Sequence, residues 1–124
     1  MAAIRVLIAD DHRLFAEALE AILGGEERIA VVGHAGDGRE AVRLTKELKP
    51  DVVLMDISMP VMDGIDAAKR IRTEDGGARV LMLTGSNSRA DVDRARLAGA
   101  AGYVTKDRIA AELIDAIVEI AERN

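Results

Sequence analysis

The sequence predicts a doubly wound α/β domain, in which a parallel sheet carries helices on both faces. Short apolar runs begin near residues 4, 29, 52, 79 and 102, and a segment with helical periodicity follows each of them. The run over 52–55 shows no polar alternation, which is typical of a strand buried on both faces. Five consecutive βα units favour one sheet with right-handed crossovers, but they do not establish a strand order.

Turn-forming residues separate the predicted elements. Gly24-Gly25 ends the first helix, Pro50 ends the second, and Asp75-Gly76-Gly77 ends the third. The fourth helix is rich in alanine and has a weak apolar pattern. The predicted strands cover 4–9, 29–34, 52–55, 79–83 and 102–105, and the helices cover 14–23, 39–48, 65–74, 89–98 and 109–122.

Length and composition exclude several classes of protein. The 124 residues suit one domain, residues 1–124, and no apolar run is long enough to span a membrane. A net charge of −5, one Phe, one Tyr and no Trp argue against nucleic-acid binding by the chain itself. No signal peptide is expected, because Arg5 interrupts the short apolar start. The lack of cysteine excludes disulfides and thiolate metal sites, and it is compatible with the cytoplasmic location that we expect.

Polar side chains follow four of the predicted strands, where each strand ends. Asp10 and Asp11 follow the first strand, Asp56 the third, Thr84 the fourth and Lys106 the fifth. Because the carboxyl ends of parallel strands meet at one edge of the sheet, these residues are expected to share a small cleft. Three carboxylates repel one another unless a cation bridges them, and oxygen ligands suit Mg²⁺.

The predicted cleft suits phosphoryl transfer. A divalent cation and Lys106 would neutralise incoming phosphoryl oxygens, and a carboxylate could be the nucleophile. Each residue also has a plainer interpretation. Asp10 and Asp11 could cap the first helix, Asp56 could be a helix cap or loop residue, and Thr84 and Lys106 could be ordinary solvated side chains. No role is assigned to the two histidines, and the glycines at 33, 36 and 38 are interpreted as turn residues.

Four motifs in this order resemble the receiver domain of two-component response regulators. They are Asp10-Asp11 after the first strand, the segment Asp-Ile-Ser-Met-Pro-Val-Met-Asp-Gly that starts at Asp56, Thr84 after the fourth strand, and Gly-Tyr-Val-Thr-Lys at 102–106. The resemblance covers essentially the whole chain. The segment Ala-Asp-Asp-His-Arg-Leu-Phe near the start is similar to the corresponding segment of the NarL/LuxR-type subfamily.

The resemblance implies a Mg²⁺-dependent phosphoacceptor. Asp56 would take a phosphoryl group from a sensor histidine kinase. Asp11 and the Asp56 carboxylate would bind Mg²⁺ with the backbone carbonyl of Ser58, and Asp10 would act mostly through water. Thr84 and Lys106 would contact the phosphoryl oxygens.

The same resemblance implies an output. Tyr103 matches the aromatic switch position of the family, and the family sheet has the flavodoxin-like order 2-1-3-4-5. Subfamily members continue into a helix-turn-helix domain, which is not among these 124 residues. We therefore expect control of transcription through that domain, homodimer formation on phosphorylation, and no direct contact with DNA or membranes. Catalysis would be limited to the domain's own phosphotransfer and slow self-dephosphorylation.

The residue after Lys106 departs from the family pattern, and this departure bears on the peptide bond at that position. Receivers often have a cis proline after the lysine, whereas Asp107 stands here, so we expect a trans bond and a differently shaped loop.

Three other functions share part of the pattern. A flavodoxin-like FMN carrier would need a hydroxyl- and glycine-rich loop after the first strand. An aspartyl phosphohydrolase typically has a second acid where Ser58 stands. A degenerate receiver used only for binding would not need the complete set of site residues.

Overall fold

A computed structural model describes residues 3–57, 59, 62–74, 77–85 and 89–123, with the backbone alone given for residues 73 and 74. Five strands alternate with five helices along the chain, as the sequence predicted. The strands are β1 (Ile4–Ala9), β2 (Ile29–Ala35), β3 (Val52–Asp56), β4 (Arg79–Thr84) and β5 (Gly102–Thr105). The helices are α1 (Arg13–Gly24), α2 (Gly38–Leu48), α3 (Gly64–Glu74), α4 (Arg89–Leu97) and α5 (Ile109–Glu122).

The sheet is parallel throughout and has the strand order β2-β1-β3-β4-β5. This order confirms the flavodoxin-like topology. β1 and β3 pair in register, with Ala9 opposite Met55. The pairing of β1 with β2 contains one irregularity, because Val6 lies opposite Val31 but Leu7 lies opposite Gly33. This register shift is a β-bulge at residue 32.

Alternate residues of the central strands enter two separate cores. Leu7, Val53 and Met55 face the layer formed by α2, α3 and α4, and Ile8 and Leu54 face the layer of α1 and α5. These five side chains are fully buried. Burial on both faces is the reason why the run over 52–55 has no polar alternation.

Helix α4 is anchored to the sheet by small side chains. Its packing against the core involves Ala95 and the following Ala98, whereas Leu97 is 82% exposed. In contrast, α5 buries Leu113 and Ile117 completely. The weak apolar pattern of the α4 sequence therefore corresponds to a lightly anchored helix.

Local differences from the predicted elements are small. Lys106–Arg108 form a 3-10 turn that leads directly into α5, where only a loop was predicted. The described residues contain no cis peptide bond, so the bond between Lys106 and Asp107 is trans, as expected. The interpretation of Gly33 and Gly38 as turn residues was wrong. Gly33 lies within β2 and pairs with Leu7, and Gly38 is the first residue of α2, where a Cβ would overlap the carbonyl of Met62. Among the described helices, none has the length and apolar character that a membrane crossing needs.

Candidate functional site

Strand pairing brings two buried carboxylates side by side. Ala9 and Met55 are paired, so the next residues along β1 and β3 lie next to each other at the carboxyl edge. Asp10 is fully buried and Asp56 is 3% exposed. The side chain of Asp11 is more accessible, at 31%. The structure therefore places all three predicted carboxylates at one edge of the sheet.

Lys106, which directly follows the edge strand β5, joins this cluster. Its Nζ lies 3.3 Å from Oδ2 of Asp10 and 3.6 Å from Oδ1 of Asp56. The Lys106 side chain is 23% exposed, so the ammonium sits at the border between the cluster and solvent. Its single positive charge balances one of the three carboxylate charges.

Thr84 ends the strand beside Asp56. Leu83 is the register partner of Asp56, and the amide of Ile57 donates a hydrogen bond to the Leu83 carbonyl at 3.1 Å. Thr84 is therefore one residue further along at the same edge, and it is 4% exposed. This position agrees with the predicted placement beside the cleft.

His12 is a member of the cluster that sequence reasoning missed. Its Nδ1 lies 3.4 Å from Oδ1 of Asp10, 3.4 Å from Oδ1 of Asp11 and 3.9 Å from Oδ2 of Asp56. The His12 amide also donates a 2.8 Å hydrogen bond to Oδ1 of Asp10. Its position directly after the two aspartates was the available signal. The N-cap residue of α1 is His12, not either aspartate, and its side chain makes no capping hydrogen bond.

His34 supports the loop that carries Asp10. Its Nε2 lies 3.1 Å from the backbone carbonyl of Asp10, and the amide of Asp10 donates a 3.0 Å hydrogen bond to the carbonyl of Ala35. The end of β2 thus holds the backbone of Asp10 on both sides. Nothing in the local sequence around His34 indicated this contact.

The donor set fits Mg²⁺. One ligand atom from each of Asp10, Asp11, His12 and Asp56 can be chosen so that all four lie within 4.8 Å of one another. Oδ2 of Asp10 is buried and accepts no hydrogen bond from the described residues. Carboxylate oxygens suit Mg²⁺, and the imidazole adds a nitrogen that borderline metals also accept. Ser58, whose carbonyl was predicted as a ligand, lies outside the described residues.

Gly64 closes the loop after Asp56. Its amide donates a 2.8 Å hydrogen bond to the carbonyl of Ile57. A Cβ at position 64 would overlap the carbonyl of Asp56, so only glycine allows α3 to begin this close to the end of β3. The sequence indicated a turn at Gly64, and the structure supplies this steric reason.

Tyr103 lies on the surface between α4 and α5, at some remove from the carboxylates. It pairs with Met82 on β4 and is 44% exposed. One groove beside it is lined by Val92 and Ala95 of α4. A second groove is lined by Arg108, at the end of the 3-10 turn, together with Glu112 of α5. Tyr103 is thus placed to contact both helices if its ring moves.

Comparison with known proteins agrees with this fold and site. The family model of the response regulator receiver domain matches residues 6–118. The transcriptional regulatory protein LiaR of Bacillus subtilis is 45% identical over 114 residues, which cover 92% of this chain and 54% of LiaR. The chain thus spans about half the length of the curated relatives it matches.

Solved structures of receivers superpose on nearly the whole chain. The receiver domain of the response regulator NarL from Mycobacterium tuberculosis has a TM-score of 0.95 and 36% identity, and both chains are covered completely. A LuxR-family two-component response regulator from Aurantimonas sp. has a TM-score of 0.91 and 40% identity, with 97% of this chain and 86% of the other covered. The chain therefore belongs to the receiver-domain family of response regulators, with NarL/LuxR-type regulators among its relatives.

Proposed function

We propose that this domain is a phosphorylation switch in which Asp56 accepts a phosphoryl group from a histidine kinase. The observation that carries the proposal is the position of Asp56, which is a nearly buried carboxylate. Its Oδ1 faces Nζ of Lys106, and its Oδ2 faces Nδ1 of His12. A carboxylate in such a place can act as a nucleophile toward phosphorus.

Phosphoryl transfer from a phosphohistidine exchanges one P–N bond for one P–O bond. The P–N bond of the phosphohistidine donor breaks, and its bonding electron pair leaves with the imidazole. An oxygen of Asp56 forms the new P–O bond. Lys106, whose Nζ lies 3.6 Å from Oδ1 of Asp56, can neutralise part of the negative charge on the phosphoryl oxygens. Thr84, which ends the next strand, would donate its hydroxyl to them.

We further propose that Mg²⁺ is the cofactor. Asp10, Asp11 and Asp56 would hold it, with the Ser58 carbonyl as an additional ligand expected from the family. When bound, the ion would neutralise charge that Lys106 leaves uncompensated in the cluster. Asp10, whose Oδ2 already faces Lys106, would orient the site and act mostly through water.

The output belongs to the longer proteins that this chain resembles. The curated relatives are transcriptional regulators of about twice this length. We propose that phosphorylation promotes a homodimer and controls transcription through a DNA-binding domain that is not among these residues. Action on transcription implies a cytoplasmic location. Turnover of external substrates is not part of the proposal, since receivers are a signalling family.

Labelling with a small phosphodonor tests the nucleophile. With Mg²⁺ and acetyl phosphate, the wild type should gain one acid-stable, base-labile phosphoryl group, which intact-mass spectrometry detects. Asp56→Asn should gain none, because an amide is not a nucleophile here. Asp93→Asn, a matched change at an exposed position of α4, should label like the wild type. Equal labelling of Asp56→Asn and wild type would remove Asp56 from this role.

A further inference from the structure

Phe15 contacts the ammonium group that the phosphoryl chemistry needs. Nζ of Lys106 lies 4.3 Å from the centroid of the Phe15 ring. The same Nζ faces Asp10 at 3.3 Å and Asp56 at 3.6 Å. A cation this close to an aromatic face is attracted by the negative potential of the ring, and the useful range extends to about 6 Å.

The two carboxylates do not by themselves fix Lys106 in place. Charge-assisted N–H···O bonds are about 2.7–2.9 Å long, and both ion-pair distances at Nζ exceed that range. A lysine side chain has several freely rotating bonds, and its ammonium is strongly hydrated. Phosphorylation of Asp56 would also change one of the two ionic partners. The contact with Phe15 does not depend on either carboxylate.

The Phe15 ring is itself held in position. Phe15 lies in the first turn of α1 and packs against the core formed by α1, α5 and the sheet. Leu19, one turn further along α1, is fully buried in that core. The neighbouring Leu14 is 82% exposed and does not share this packing. Packing against this core therefore holds the ring beside the Lys106 ammonium.

We propose that Phe15 is a positioning residue, which keeps the Lys106 ammonium directed into the site through a cation–π contact. Because an aromatic face attracts a cation without a fixed direction, Lys106 can shift from the carboxylates toward phosphoryl oxygens and stay in contact with the ring. This proposal rests on the proposed role of Lys106 at the phosphorylation site.

Fluorination of the ring tests the electrostatic part of the contact. Phe15 is the only phenylalanine in the sequence, so biosynthetic incorporation of fluorinated phenylalanines alters this position alone. Each added fluorine weakens the negative face of the ring with little change in shape. We expect phosphorylation by acetyl phosphate to slow progressively from phenylalanine to 4-fluoro-, 3,5-difluoro- and 3,4,5-trifluorophenylalanine. The whole series should amount to about three- to tenfold.

A second measurement reports the contact without metal or phosphodonor. With ¹³Cε-labelled lysine, the chain gives four signals, and the one lost in Lys106→Arg identifies Lys106. Its ε-protons should be shifted upfield by the ring in the wild type and in Phe15→Tyr. In Phe15→Leu they should move to the position of the solvated lysines.

The outcomes separate this inference from the proposed function. If the wild type does not label at all, the proposed function fails, whereas the metal-free NMR experiment still decides the contact. If the trifluoro protein labels at the wild-type rate, or the Lys106 signal does not change in Phe15→Leu, Phe15 is only a packing residue. If Phe15→Leu does not fold, the fluorinated series decides the question, because the ring volume is nearly conserved.

Discussion

Nζ of Lys106 and Oδ2 of Asp10 are 3.3 Å apart, although they follow β5 and β1, with β3 and β4 between them in the sheet. The same Nζ also lies 3.6 Å from Oδ1 of Asp56, which ends β3. The ammonium that follows the edge strand β5 thus faces both buried carboxylates.

Loss of Lys106 should destabilise the metal-free protein. Lys106→Met leaves the buried carboxylates of Asp10 and Asp56 without their counter-charge. Because Lys106 is partly solvated, we expect the free energy of unfolding to fall by about 1–3 kcal/mol, less than for a fully buried pair. Urea unfolding without Mg²⁺ measures this loss, and added Mg²⁺ should recover part of it.

A matched charge removal provides the control for that experiment. Lys69 is an exposed lysine on α3, and Lys69→Met should change the free energy of unfolding by less than about 0.5 kcal/mol. Equal effects of the two substitutions would mean that Lys106 does not stabilise the buried acids.

Removal of Asp11 should weaken Mg²⁺ binding without loss of stability in the metal-free form. Asp11→Asn removes one of three clustered like charges, so the apoprotein should be as stable as the wild type or more stable. Mg²⁺ affinity should fall by about tenfold or more, since even outer-shell changes can have that effect. Isothermal titration measures the affinity. Asp107→Asn carries the same charge change outside the cluster and should bind Mg²⁺ like the wild type; an unchanged affinity in Asp11→Asn contradicts the assignment.

A side chain at Gly64 should disturb the site through its backbone. Gly64→Ala places a methyl group against the carbonyl of Asp56, which must move. We expect a loss of about 1–3 kcal/mol in the free energy of unfolding and slower labelling by acetyl phosphate. Gly24→Ala is the control. No atom lies within 4 Å of the position that the new Cβ would take, so this change at the end of α1 should be neutral or stabilising. Similar results for the two substitutions would argue against the steric role of Gly64.

Phosphorylation should be detectable at Tyr103 through Thr84. Phosphoryl oxygens at Asp56 offer an acceptor toward which the Thr84 hydroxyl should turn, and the space it vacates can take the ring of Tyr103. The lightly anchored α4, with Ala95 in the groove beside Tyr103, is the element expected to move with it. Such a switch is a population shift set by differential affinity for two states.

The single tyrosine makes this test direct. Beryllofluoride with Mg²⁺, standing in for the phosphoryl group, should change the Tyr103 ring resonances and its fluorescence, and Thr84→Ala should blunt both changes. No tryptophan overlaps these signals. If beryllofluoride binds but the ring resonances and fluorescence of Tyr103 do not change, Thr84 and Tyr103 are not coupled in this protein.

The sequence by itself determined the layered fold and most of the candidate site. The unbroken apolar run before Asp56 predicted a strand buried on both faces, and five βα units favoured a parallel sheet with its strand ends at one edge. Strand direction and burial leave a pattern of apolar and polar residues in the local sequence, so both can be predicted from it. That is why the sequence alone predicts that Asp10, Asp11, Asp56 and Lys106 lie together.

Only the tertiary structure decided which other side chains reach those residues. His34 contacts the Asp10 carbonyl after a bulge at residue 32 has shifted the register of β2 by one, which reverses the face that each later side chain occupies. Phe15 of α1 meets Lys106, which begins the 3-10 turn after β5. Such contacts depend on packing between elements distant in sequence, and no local periodicity carries that information.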